Sequence, residues 1–80
     1  MFYVYILQSL KDNNLYVGMT SDLENRINRH NSGYGKSTKS RAPFELIHVE
    51  EVETREEARQ REKFFKSGIG REIVKSLLVA

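Results

Sequence analysis

The sequence predicts an α+β domain, one sheet with a few helices, on three observations. Two short apolar, β-prone segments flank a run of turn-forming residues near the N-terminus. Two Ser/Thr-x-x-Glu patterns introduce amphipathic stretches, and a loosely alternating segment lies between those stretches. At 80 residues the chain is close to the size at which one hydrophobic core is only marginally sufficient, so residues 1–80 are read as a single domain.

Phe2 to Ser9 is almost wholly apolar or aromatic, Leu15 to Thr20 is similar, and Lys11-Asp12-Asn13-Asn14 lies between them. Together they predict a β-hairpin. With an even number of residues in its loop, odd positions of the first strand share a face with even positions of the second, which groups Tyr3, Tyr5, Tyr16 and Gly18. Ser21-Asp22-Leu23-Glu24 fits a capping box and starts a helix near Asp22. At about 100° per residue, Ile27 and His30 lie within about 40° of Leu23, and Arg26 falls about 60° away, at the edge of that apolar stripe. Asn31, Ser32 and Gly33 end the helix. Tyr34 to Pro43, rich in Gly, Ser and Lys, reads as a loop with one helical turn around Thr38 to Arg41. Phe44 to Val52 makes a third strand, partly solvent-facing because of its glutamates. Thr54-Arg55-Glu56-Glu57 is a second capping box. It opens a helix to Lys66 with Gly68 as C-terminal cap, and Gly70 to Leu78 forms a last short helix.

The absence of cysteine excludes disulfide staples and thiolate metal sites and fits a reducing compartment, the cytoplasm. Phe2 to Leu7, the longest apolar run, is far too short for a membrane span and lacks the flanks of a signal peptide, so no membrane partner is expected. Thirteen Lys and Arg against eleven Asp and Glu leave a net charge of +2, so bulk charge does not indicate nucleic acid. Its distribution says more. Arg26, Arg29, Lys36, Lys39 and Arg41 fall in a stretch with no acid between Glu24 and Glu45, whereas Glu50, Glu51, Glu53, Glu56 and Glu57 crowd the next.

One residue in the second helix is out of place. Ala58, Glu62 and Phe65 fall within about 60° on a helical wheel, so a carboxylate sits on the core-facing stripe. It either pairs with a cation or metal, or the stripe is displaced toward Phe64 and Phe65 and Glu62 is solvated or pairs with Lys66. Two phenols on a hairpin face, a guanidinium and an imidazole on a helix edge, and a carboxylate on another helix make a workable phosphodiester site. A phenol can accept a proton from water acidified by a metal ion. Glu62 is a hard oxygen donor suited to Mg²⁺. Arg26 can hold two phosphate oxygens in a fork, and His30 can position substrate or orient a tyrosine. Each taken singly has a plainer role: packing for the strand tyrosines, a snorkelling surface charge for Arg26, a dipole contact at a helix end for His30, and a solvated loop for Lys36 to Arg41.

Taken together, Tyr3-Val4-Tyr5, Tyr16-Val17-Gly18, Arg26, His30 and Glu62, in that order, with Tyr5 to Tyr16 and Tyr16 to Arg26 at the family's usual separations, resemble the GIY-YIG nuclease superfamily. Tyr3 stands where the first motif usually has glycine; Val4 and Val17 replace isoleucine. The segments from Gly35 to Leu46 and around Glu62 look like those of its small stand-alone bacterial members. The resemblance implies a three-stranded antiparallel sheet flanked by helices and metal-dependent phosphodiester cleavage with Mg²⁺ or Mn²⁺. It further implies Tyr5 and Tyr16 as the motif tyrosines, either of them the general base, Arg26 as the phosphate-stabilising arginine, His30 as an assisting residue and Glu62 as the metal ligand. Arg29, Lys36, Lys39 and Arg41 are the expected nucleic-acid contacts, with DNA favoured over RNA, in a monomer or weak homodimer. DNA repair, restriction and processing are all open as pathways. Two competing readings stand beside the endonuclease: a nucleic-acid-binding module without turnover, and a protein-interaction domain that presents the acidic stretch Glu50 to Glu57.

Overall fold

A computed structural model describes residues 1–31 and 43–79. The chain runs β1 (Phe2–Ser9), β2 (Leu15–Thr20), α1 (Leu23–Asn31), β3 (Phe44–Val52), α2 (Arg55–Lys66) and α3 (Gly68–Val79). The three strands form one antiparallel sheet in the order β2-β1-β3, the α+β architecture expected. No helix among the described residues is long and apolar enough to cross a membrane.

The nearly unbroken apolar run of β1 follows from its central position, because both its faces are covered. Val4 and Ile6 pack with Ala58, Phe65 and Val74 under α2 and α3. Tyr5 and Leu7 pack with Phe44, Leu23 and Ile27 under α1. In the hairpin register Tyr5 lies opposite Gly18 and Leu7 opposite Tyr16, so Tyr3, Tyr5, Tyr16 and Gly18 do share the α1 face. Ser9 N–H donates to Asn14 O and Asn13 N–H to Ser9 O, both at 2.9 Å, which closes an even-numbered turn. Asn13 takes a left-handed φ of 63°, a conformation Asn tolerates better than most residues. Between β1 and β3, Ile6 faces His48 and Leu7 faces Leu46, so Ile47 is a bulge residue.

Three details differ from expectation. The α1 cap is Asp22, not Ser21: Asp22 Oδ1 accepts from Asn25 N–H at 3.3 Å, and Asp22 O accepts the first helical bond from Arg26 N–H. Thr20 Oγ1 accepts from Asp22 N–H at 3.0 Å, which turns the strand directly into that cap. Ser67, in extended conformation, ends α2, and its N–H donates to the carbonyls of Lys63 and Phe64. Gly68 therefore opens α3 rather than capping α2, and α3 starts before Gly70. The second capping signal holds, with Thr54 Oγ1 accepting from Glu57 N–H at 3.2 Å. The expected end of α1 at Ser32 and Gly33 and the loop up to Ala42 lie outside the described residues; at their borders Asn31 Oδ1 accepts from Phe44 N–H at 2.7 Å.

Candidate active site

β1 and β2 together place the Tyr5 phenol. Its side chain crosses the neighbouring strand directly over Gly18, where a Cβ would lie 2.3 Å from Tyr5 Oη. Only glycine leaves that path open. Tyr5 Oη reaches His30 Nε2 on α1 at 3.2 Å, and the two rings meet edge to face at 6.0 Å. His30 also meets Phe44 at 5.9 Å, and Phe44 meets Tyr16 at 5.1 Å, so four aromatic rings run across the α1 face of the sheet. Such edge-to-face pairs fix ring orientation as well as burying area.

Burial sets the protonation of this pair. Tyr5 is 3% exposed, and burial raises its pKa; Arg26 opposes that rise and Glu62 adds to it. The His30 imidazole is held below its ordinary value by burial first, then by Arg26 and Arg29. Both groups are therefore neutral near pH 7, a phenol beside an imidazole able to exchange one proton.

Arg26 and Glu62 come from helices on opposite faces of the sheet and meet around the Thr20 end of β2. They line one open cleft of about 420 Å³ with Met19, Thr20, Arg55 and Arg59. The Glu62 side chain is 22% exposed and pairs with Lys66 Nζ at 3.7 Å. Both alternatives raised for the odd carboxylate thus apply in part: it faces the cleft and also leans toward the lysine one turn later. α2 is held in this rotation by buried Ala58 and Phe65. It is also held by Arg61, whose Nε and Nη2 donate to the two carboxylate oxygens of Glu50 at 2.7 and 2.9 Å. Glu50, and with it part of the acidic stretch, is thereby a structural group rather than a free surface charge.

The structure thus brings Tyr5 into hydrogen-bond contact with His30 and places Arg26 and Glu62 on the lining of one cleft, with Tyr5 within electrostatic reach of both. Tyr16 is placed differently, against Phe44 and on a separate cleft beside Lys66 and Arg71. Arg29 is exposed on α1 and acts on His30. Lys36, Lys39 and Arg41 lie outside the described residues. Arg55 and Arg59 escaped the sequence reading because acids surround them in the chain, yet Arg55, Arg59 and Glu62 fall within about 60° of one another on a helical wheel, a signal that was available. Among the described residues no cluster of three or more His, Asp or Glu could hold a metal ion. A single half-buried carboxylate facing a cleft, as Glu62 is, fits Mg²⁺, which keeps most of its waters and takes one or two carboxylates.

Residues 1–71 match the model of the GIY-YIG catalytic domain. The chain belongs to the GIY-YIG family. It is 48% identical over 67 residues to the UPF0213 protein CPE1444 of Clostridium perfringens, across 82% of this chain and 71% of that protein. It is 46% identical over 66 residues to the UPF0213 protein HQ_3675A of Haloquadratum walsbyi, across 81% and 73% of the two chains. The solution NMR structure of the UPF0213 protein BH0048 from Bacillus halodurans is similar at a TM-score of 0.58 and 41% identity, over 96% of this chain and 85% of that one. GIY-YIG membership makes this a nuclease-type domain.

Proposed function

We propose that the protein is a metal-dependent endonuclease that hydrolyses phosphodiester bonds in nucleic acid, DNA in preference to RNA. The observation that carries this reading is the meeting of Arg26 and Glu62 in one cleft at the end of β2, next to the Tyr5–His30 pair. The Arg26 guanidinium forks onto two non-bridging phosphate oxygens and offsets charge as the phosphorane develops. Glu62 would hold Mg²⁺ or Mn²⁺, and a bound ion would supply Lewis acidity toward phosphate and water. A water oxygen attacks phosphorus, the attacking water gives a proton to a tyrosine, and the leaving oxygen departs with the bonding pair and takes a proton from solvent. Tyr5 is the better supported acceptor, because neutral His30 can take the phenol's own proton in the same event. Tyr16 remains the other candidate, from its half-buried place on the same sheet face.

A second reading, a nucleic-acid-binding module of the same fold without turnover, is favoured by one observation. Tyr5 is buried and keeps its proton, the state of a packed phenol rather than of an exposed base. One assay separates the two. The purified protein is incubated with labelled single-stranded, duplex and branched DNA and with RNA, in Mg²⁺, Mn²⁺ or chelator, beside Glu62→Gln purified in parallel. Metal-dependent product from the parent alone is expected. Equal product from Glu62→Gln removes Glu62 as the ligand, and binding without product on every substrate selects the binding module.

A further inference from the structure

We infer that a nucleic-acid strand runs along the open side of β2, gripped beyond the Arg26–Glu62 cleft by a second, cationic cleft built from Lys66, Arg71 and Lys75. The inference rests on the nucleic-acid part of the reading above and not on turnover. The second cleft, about 580 Å³, lies against the other end of the same strand, where Asn13, Asn14 and Tyr16 line it with the three cations. The remaining residues around it are Leu15 and Val17, so no acid lines it.

The arrangement is built by the break at Ser67. α2 ends with Lys66 and α3 begins at once with Gly68, so the last residue of one helix and the Arg71 and Lys75 positions of the next converge on one hollow. Arg71 and Lys75 are spaced i,i+4, where like charges repel and destabilise a helix. Together with Lys66 they concentrate positive potential in a concavity, where a low-dielectric wall focuses it. An anion relieves that repulsion.

β2 supplies the direction. Within the sheet its outer side has no strand partner among the described residues. Thr20 and Met19 line the first cleft; Tyr16 and Leu15 line the second. From Thr20 to Tyr16 is about 13 Å at about 3.3 Å per residue, a span that takes in more than one phosphate of an extended single strand. Lys66 sits between the two clefts, lining the second while paired with Glu62 of the first. Non-adjacent phosphates of one strand can reach both clefts, whereas an isolated small anion would occupy only one. Tyr16, half-buried against Phe44, lines this path. A polarity of charge that bulk composition concealed is therefore concentrated along one edge of the sheet.

The test is binding, measured by fluorescence anisotropy on a labelled single strand of about ten nucleotides, within the site sizes of single-strand binders. Chelator is present so that nothing is cut. The parent, Arg71→Ala/Lys75→Ala and the single variant Lys75→Glu are titrated at several salt concentrations. Lys66 is left intact because it pairs with Glu62. Arg71 and Lys75 are exposed, so unchanged circular dichroism and melting are expected. The double variant should bind more weakly, and its slope of log affinity against log salt should fall by about 1.4, about 0.7 for each lost phosphate contact. Lys75→Glu should weaken binding in the same direction. An unchanged affinity and slope in both variants, in a parent that binds, overturns the strand path. A parent that binds no strand overturns the nucleic-acid reading and the path with it. Loss of inorganic phosphate binding with strand binding intact also overturns it, since the cleft then takes a small anion alone. If the slope change is present but the separate metal-dependent cleavage assay gives no product, only the enzymatic reading fails and the strand path stands.

Discussion

Gly18 and Tyr5 constrain each other closely at the candidate site. A methyl group at position 18 would meet both Tyr5 Oη and, at 2.5 Å, Tyr5 Cζ. Gly18→Ala is therefore expected to cost about 1–3 kcal/mol through overpacking and to move the phenol away from His30. Thermal unfolding measures the first effect; a parent-like melting temperature would show that the ring yields freely. Tyr5→Phe in the same background removes only the Oη clash and should recover part of the loss. His30 makes a separate prediction in pH. Its folded pKa lies below the ordinary 6.5, by burial first and then by Arg26 and Arg29. Below 6.5 the unfolded chain binds the proton more readily than the folded one, so stability is full above that value and is lost as pH falls through the folded pKa. His30→Gln lacks this component, and its unfolding free energy should decline less than the parent's between about pH 7 and about pH 5. Equal declines would mean that the imidazole titrates alike in both states.

At the scale of elements, the rotation of α2 about its own axis decides what the cleft contains. A shift of one residue, about 100°, would carry Glu62 away from Arg26 and bring Arg61 or Lys63 in its place. Two features oppose such a shift. The Thr54 cap fixes the first turn, and Thr54→Ala is expected to cost about 1 kcal/mol. The forked Arg61–Glu50 pair ties the middle of α2 to β3 while the guanidinium also lies 4.9 Å from the centres of the Phe64 and Phe65 rings. Because 42% of the Arg61 side chain is exposed, solvent screens much of its charge, and Arg61→Met should cost only about 1 kcal/mol. Arg61 holds Glu50 below the ordinary carboxylate range, chiefly by its hydrogen bonds. That contribution is present above the ordinary value of 4.5 and is lost as pH falls through the folded pKa, so the cost of Arg61→Met should shrink in acid. A cost that stays constant down to about pH 3 would assign it to lost packing alone.

For the molecule as a whole, stability rests on one strand. Val4, Ile6 and Leu7 of β1 are fully buried, with Ile6 facing α2 and α3 and Leu7 facing α1. The two cores are thus joined through a single backbone, which argues for one cooperative transition. Ile6→Ala is expected to cost about 2–5 kcal/mol, a large part of the stability of a small domain. Chemical denaturation should give a lower midpoint with an unchanged slope. A split transition would mean that the α1 side and the α2 side unfold separately. The same architecture puts the candidate site where it is: β1 is covered on both faces, so helices from opposite sides can meet only around an edge, at the end of β2.

How much of this was legible in the sequence follows the range of the interactions involved. The hairpin and its shared face, the strand Phe44–Val52 and the Thr54 cap depend on alternation, turn chemistry and capping within a few residues, and each was readable locally. The GIY-YIG motif order marked Tyr5, Tyr16, Arg26, His30 and Glu62. Local signals failed where two solutions lay a residue apart. Asp22 displaced Ser21 as the cap because Thr20 already held the Asp22 amide, and Gly68 began a helix because Ser67 had ended the one before it. What only the tertiary structure decided is adjacency: that Tyr5 bonds His30, that Arg26 and Glu62 line one cleft at the edge of the sheet, that Tyr16 lines a different one, and that Arg55, Arg59, Arg71 and Lys75 line the two clefts. These placements bring together residues far apart in the chain, because a central strand buried on both faces leaves helices from opposite sides to approach one another at an edge of the sheet.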